Sequence, residues 1–203
     1  MSERIALFGG TFNPIHRGHV TVARAVADRL ALSRLVLVPS ARPPHKPADD
    51  LAPGEDRLAM CRLAAEADPW MVVSDLELRR PAPSYTVDTL AELRRESPTA
   101  EFLLVIGADM LRDFHLWRRF EEIVRMARIV TLPRPGVEIG PLAALRRALG
   151  DAAVERMLSD VQDTPLVDVS STEIRRRMLA GRTVDDLVPP AVARYILEHG
   201  LYR

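Results

Sequence analysis

Lysine is nearly missing from this chain. Of its 28 lysines and arginines among 203 residues only Lys46 is a lysine, and 28 aspartates and glutamates bring the formal net charge to zero. The longest basic run is Arg175-Arg176-Arg177, too short for the sustained positive field that nucleic acid or a membrane surface would require. Neither is expected as a partner. Cysteine is just as scarce: Cys61 stands alone, which excludes an intrachain disulfide and a cysteine-based zinc site. Its helical spacing in DRLAMCRLAAEA reads as an inert packed residue. Long apolar runs are absent too. The opening segment reaches Gly9 after four apolar residues, 5–8, short of a signal-peptide core and of the roughly 20 residues of a membrane span. The expectation is a cytoplasmic protein.

What is present is ordinary globular composition, 47% hydrophobic and 28% charged, at a length that fits one domain, 1–203. Apolar runs suited to buried strands recur at 5–8, 35–38, 71–73, 102–106, 129–132 and 166–169. Helical patterns lie between or after them: 20–30, 53–67, one opening at Thr86, one opening at Thr172 and closed by Gly181, and a last one starting at Pro189 or Pro190 and capped by Gly200. Strands apolar on both faces and separated by helices predict a parallel sheet covered on both sides. The fold class is α/β, a Rossmann-like doubly wound, three-layer sheet with C-terminal helices. No repeat, low-complexity segment or linker interrupts it. A proline-rich loop, 40–53, and a second loop, 134–140, before a helical pair are long enough to be functional.

The densest signal is Gly9-Gly10-Thr11-Phe12-Asn13-Pro14-Ile15-His16-Arg17-Gly18-His19, between the first strand and the first helix. Open α/β sheets bind ligands at such junctions, where a helix N-terminus attracts anions and glycines admit close backbone approach. His16 and His19, three apart, share a helical face and can both donate to phosphate oxygens. The segment is neither G-x-G-x-x-G nor G-x-x-x-x-G-K-[ST], so a different nucleotide site is implied. Zinc would need ligands that no nearby cysteine or carboxylate supplies. A second junction, Ser170-Ser171-Thr172-Glu173-Ile174-Arg175, offers a serine N-cap with Thr172 and Arg175 on one face. Arg176 and Arg177 read as solvated or rim charges.

His16-Arg17-Gly18-His19 after a glycine-rich turn resembles the H-x-G-H signature of the nucleotidylyltransferase superfamily, and Ser170 to Arg175 resembles its S-[ST]-T-x-I-R signature. Pro43-Pro44-His45-Lys46, Pro83-Ser84-Tyr85-Thr86-Val87-Asp88-Thr89-Leu90, Gly107-Ala108-Asp109-Met110-Leu111 with Trp117, and the ending His199-Gly200-Leu201-Tyr202-Arg203 narrow the resemblance to the bacterial nicotinate mononucleotide adenylyltransferases, across essentially the whole chain. That resemblance implies adenylyl transfer from ATP to nicotinate mononucleotide, giving deamido-NAD and pyrophosphate, with magnesium accompanying ATP. It implies catalytic roles for His16, His19 and Arg175. ATP would meet Gly9, Gly10, Thr11, Phe12, Gly18, Gly107, Asp109, Ser171 and Thr172. For the mononucleotide, His45 and Lys46 would meet the phosphate, Trp117 would stack on the pyridinium ring, and Tyr85 and Thr86 would present N–H groups to the carboxylate.

Each of these residues also has a plainer reading: exposed loop polarity for His45 and Lys46, a core tryptophan for Trp117, helix N-caps for Tyr85, Thr86 and Asp109. His115, Trp70 and His199 read as structural. Asn13 departs from the aspartate common in the family and is expected to shape the turn rather than bind metal directly; no direct metal ligand is assigned, magnesium being held mainly by phosphates and water. The competing readings are an adenylyltransferase preferring nicotinamide mononucleotide or another phosphorylated acceptor, and a nucleotide-binding module without turnover. Oligomeric state has no legible signal in the sequence.

Overall fold

Residues 5–8 alternate between two apolar environments: Ile5 and Leu7 pack on one side of the sheet, Ala6 and Phe8 on the other. That two-sided burial is what a central parallel strand requires. In the computed structural model, which describes residues 3–41, 51–134 and 136–203, the segment belongs to β1 (Arg4–Gly10). It lies at the centre of a five-stranded all-parallel sheet with β2 (Arg34–Pro39), β3 (Met71–Val73), β4 (Glu101–Gly107) and β5 (Arg128–Leu132), in the order β3-β2-β1-β4-β5.

One face of the sheet is covered by α1 (Arg17–Leu30), α2 (Gly54–Ala65), α9 (Ser171–Leu179) and α10 (Pro190–Glu198), through residues such as Val26, Cys61, Ile174 and Ile196. The other is covered by α3 (Leu76–Arg79), α4 (Thr86–Glu96), α5 (Ala108–Arg112), α6 (Phe120–Met126), α7 (Ala143–Leu149) and α8 (Asp151–Ser159), through Leu76, Leu90, Leu111, Ile123, Leu145 and Val154. The doubly wound, three-layer expectation holds. Helix ends follow local chemistry as expected: Ser170 caps α9 by accepting from Glu173 N–H at 3.1 Å, Pro190 opens α10, and Gly181 and Gly200 take positive φ behind the last two helices.

One expected strand does not form. Segment 166–169 makes no ladder, and Leu166 is 62% exposed. The chain does touch the sheet edge earlier, at an isolated parallel bridge between Val161 and Thr131, with Gln162 N–H donating to Thr131 O at 2.8 Å. Pro165 then removes a donor from the ladder, and the chain leaves β5 before the apolar run begins.

The topology also locates the crevice. Strand order reverses between β1 and β4, whose paired register ends at Phe8↔Val105, so Gly9-Gly10 and Gly107, still paired outward with β2 and β5, have no partner across the switch point at the carboxyl edge. Ligands bind open α/β sheets at such a switch point. The sheet beneath it depends on central side chains such as Leu103, fully buried on β4. Leu103→Ala should cost about 2–5 kcal/mol, read as a lowered midpoint in chemical denaturation with native far-UV circular dichroism; an unchanged midpoint would mean that this layer is not close-packed.

Candidate active site

The first helix begins with two histidines that cap each other. His16 is the N-cap of α1; its Nδ1 accepts from His19 N–H at 3.4 Å, while His19 Nδ1 accepts from His16 N–H at 3.2 Å. This is a reciprocal capping box built from imidazoles. The rings stack, with centroids 3.7 Å apart. Since both Nδ1 atoms are acceptors, the hydrogen-bond pattern assigns the proton of each neutral ring to Nε2, leaving two N–H donors side by side. Gly18 serves this pair directly: a Cβ there would stand 3.0 Å from His16 Nδ1.

His19 rests edge-on against Phe12, 5.1 Å between centroids, and Phe12 in turn meets Phe8 at 5.8 Å. The side chain of Phe12 is therefore a buried prop, and Gly10 is small because a Cβ would stand 2.9 Å from that ring. Gly9 differs, as a Cβ there would meet nothing within 4 Å. The helix start is less open than the sequence suggested. Arg17 N–H donates to Leu187 O at 2.9 Å, and the Arg17 side chain holds the carbonyls of Val188 and Asp185. With His19 N–H also occupied, side-chain donors rather than the bare helix terminus dominate here.

The second motif docks onto the first. Ser171 Oγ donates to Pro14 O at 2.9 Å, and Arg175 Nη1 donates to Asn13 O at 3.0 Å. Residues more than 150 positions apart thus meet at one loop. Thr172 is exposed at the start of α9. Arg176 and Arg177 are held by Glu173, as expected of peripheral charges. The side chain of Asn13 shapes the turn: Oδ1 accepts from Ala52 N–H at 3.0 Å and from Tyr202 O–H at 2.9 Å.

Across the switch point, Gly107 caps α5 by position and Asp109 lies in its first turn, so Asp109 is not the N-cap. Its Oδ2 accepts from Arg134 Nη1 at 3.1 Å, and its Oδ1 is buried with no hydrogen-bond partner among the described residues. Gly107 allows this fold-back, since a Cβ there would fall 2.5 Å from Oδ1. Burial, and secondarily the charge of Arg134, push the pKa of His16 down to about 4. No three histidine, cysteine, aspartate or glutamate side chains converge as a metal cluster among the described residues.

Tyr85, at the N-cap of α4, and Trp117, 5.1 Å from the Phe114 ring, pack on the opposite face of the sheet from the histidines. Thr86 opens α4 beside them, and the Arg118 guanidinium lies 4.5 Å over the Tyr85 ring. The structure thus brings His16, His19, Ser171 and Arg175 together at the start of α1 and sets Tyr85, Thr86 and Trp117 apart from them, on the opposite face of the sheet. His45 and Lys46 lie outside the described residues.

Sequence reasoning missed Arg134 and Arg57. Arg57 is 1% exposed on α2, and its guanidinium donates to the carbonyls of Ala52, Thr11, Ser40 and Ala41 at 2.7–3.2 Å. A signal existed: Arg57 falls on the same helical stripe as buried Cys61, Ala64 and Ala65, where a charged residue needs a reason.

A sheet switch point lined by stacked histidines, a docked serine and an arginine defines a nucleotide-handling α/β protein. The chain belongs to the cytidylyltransferase-like family, whose model matches residues 7–177. A relative in Thermus thermophilus, named probable nicotinate-nucleotide adenylyltransferase, is 45% identical over 98% of this chain and 100% of its own. One of the same name in Thermomicrobium roseum is 40% identical over 99% and 92%. Among solved structures, the Plasmodium falciparum nicotinic acid mononucleotide adenylyltransferase complexed with NaAD shares the fold, with a TM-score of 0.74 over 98% of this chain and 97% of that one, at 19% identity.

The depressed pKa of His16 has a consequence for stability. The unfolded chain takes up this proton near pH 6.5, the folded chain only near 4, so stability falls as the pH drops through that window, by up to about 3 kcal/mol. NMR titration should place the His16 ring midpoint near 4. A midpoint near that of free histidine would show a solvated ring.

Proposed function

We propose that this chain, as a single cytoplasmic domain, transfers the adenylyl group of ATP to nicotinate mononucleotide, releasing pyrophosphate and deamido-NAD. The observation that best supports this reading is the reciprocal His16–His19 cap, in which each Nδ1 accepts from the other residue's N–H, beside Arg175 docked from the second motif. The names of relatives 40–45% identical across nearly the full chain point the same way.

The reaction needs no protein nucleophile. A mononucleotide phosphate with a second pKa of about 6 is largely dianionic near neutrality, so one of its oxygens attacks the ATP α-phosphorus while the bond to the bridging oxygen breaks and pyrophosphate leaves. Alignment and charge stabilisation remain for the protein. His16 and His19 donate from Nε2 to the phosphates at the reacting end. Neutral donors suit a stacked pair, since two adjacent imidazolium rings would repel. Arg175 is permanently cationic and, with the backbone of Ser171 and Thr172, holds the terminal phosphates. Gly9 and Thr11 line the approach, with the backbone of Gly10, Phe12 and Gly18 beneath the nucleotide.

Asp109 suits the ribose hydroxyls or a hydrated cation. Magnesium is compatible with this chain, because it binds through phosphate oxygens, waters and one or two carboxylates, and Asp109 places a carboxylate at the switch point whose buried Oδ1 has no hydrogen-bond partner among the described residues. Bound with ATP, magnesium would lower the charge repulsion among the phosphates. On the acceptor side, Trp117 would stack on the pyridinium ring, the start of α4 at Tyr85 and Thr86 would offer N–H groups to the nicotinate carboxylate, and His45 and Lys46 would meet the mononucleotide phosphate. Neither nucleic acid nor a membrane enters this reading; no helix among the described residues is long and apolar enough to cross a membrane.

Incubation with ATP, magnesium and either nicotinate or nicotinamide mononucleotide, with detection of pyrophosphate and dinucleotide, tests the assignment. Turnover should favour the nicotinate form; preference for the amide would overturn the choice of acceptor, and no turnover with either would overturn the reaction. His19→Ala should lower kcat by about a hundredfold or more without loss of folding, and near-normal turnover would remove His19 from the mechanism. Trp117→Ala should raise the KM for the mononucleotide more than that for ATP, whereas equal effects would make Trp117 a packing residue.

A further inference from the structure

Arg57 is a buried cation with no carboxylate partner among the described residues. Its donors go to four neutral carbonyls from three separate stretches of chain: Thr11 in the loop after β1, Ser40 and Ala41 after β2, and Ala52 before α2. Carbonyl oxygens stabilise a guanidinium without cancelling its charge. The cost of burying it is therefore sustained at the carboxyl edge of β1, one of the two strands that frame the crevice, and of its neighbour β2. Peptide geometry adds a second consequence. In a trans peptide C=O and N–H point in opposite directions, so drawing the Thr11 carbonyl onto Arg57 turns Phe12 N–H away from it, and drawing in Ser40 O does the same to Ala41 N–H. Four carbonyl dipoles that would repel phosphate are committed to the guanidinium instead.

We propose that Arg57 is a positioning residue for adenylyl transfer: it fixes the peptide orientations of the loops after β1 and β2 and supplies an uncancelled positive charge beneath the polyphosphate. The inference rests on the reaction assigned above, and it separates Arg57 from a residue that only packs α2 against the sheet. Its role is indirect, since it bonds to backbone and not to substrate.

Two variants test it. Arg57→Met keeps the stem and removes every donor; Arg57→Lys keeps the charge but lacks the fork that reaches several carbonyls. Pyrophosphate release is measured per folded molecule, with folding quantified by near-UV circular dichroism, and ATP affinity is measured separately by calorimetry without acceptor. In Arg57→Met, kcat should fall and the Kd for ATP should rise, each by about tenfold or more, with Arg57→Lys recovering part of both. Folded Arg57→Met with unchanged kcat and unchanged ATP affinity would overturn the proposal. Should Arg57→Met not fold, Arg57→Lys is judged against the parent on the same two measurements: weakened turnover and ATP binding support the role, unchanged values overturn it. A parent chain that releases no pyrophosphate with nicotinate mononucleotide would instead count against the assigned reaction, and the ATP-affinity arm would still decide the role of Arg57.

Discussion

Everything at the site depends on satisfying one loop that cannot hydrogen-bond itself. Past Phe8, β1 has lost its pairing with β4, past Gly10 it has lost β2 as well, and the chain must turn into α1 with carbonyls that have no strand partner. A buried polar backbone group without a partner costs as much as a lost hydrogen bond. The partners come from far along the sequence: Arg57 for Thr11, Arg175 for Asn13 and Ser171 for Pro14. Tyr202 and the Ala52 N–H secure the Asn13 side chain in addition. The loop is thus a hub on which α2, α9 and the C-terminal residues converge, and its geometry is set by tertiary contacts rather than by its own turn chemistry.

This arrangement makes the two sequence motifs mutually dependent. Each lies at a helix start, and each could be read as an independent anion site. In the structure the second motif spends Ser171 and one arm of Arg175 on the first, so that the histidine pair and the arginine are held in a fixed relation. Fixing donors before the substrate arrives is the physical content of preorganisation, because no reorientation is then needed as charge develops on the leaving pyrophosphate.

The sheet and the motif positions were legible because they rest on local patterns. Two-sided apolar runs marked β1 to β5, and Ser170, Pro190 and Gly200 marked helix ends. The strand expected at 166–169 was misread because an apolar run carries no information about whether an edge is available, and Pro165 had already turned the chain away. Arg57 and Arg134 were missed for a different reason. In a chain where nearly every basic residue is arginine, residue type does not separate a surface charge from a buried one; only an arginine's place on an apolar stripe does, and that applies to Arg57 alone. Arg134 is exposed and, among the described residues, is linked to the site through Asp109 and His16. Gly18 was expected to clear the start of the helix, and its missing Cβ does make room there, for the His16 ring.

The absence of net charge takes on a different meaning beside these contacts. Many surface arginines are cancelled by carboxylates, as Arg128 is by Asp160, Arg146 by Asp151 and Glu155, and Arg176 and Arg177 by Glu173. Arg57 and Arg175 instead hold carbonyls, which leave their charge intact. A neutral chain can therefore present a positive site, provided that its uncancelled cations are gathered at one strand edge. Lysine would serve poorly in that role, because a single ammonium cannot span several carbonyls in one plane as a guanidinium does. At Arg57 the fork does more than carry charge: it ties the loop after β1 to the loop after β2, so charge and shape at the crevice are set by the same side chain.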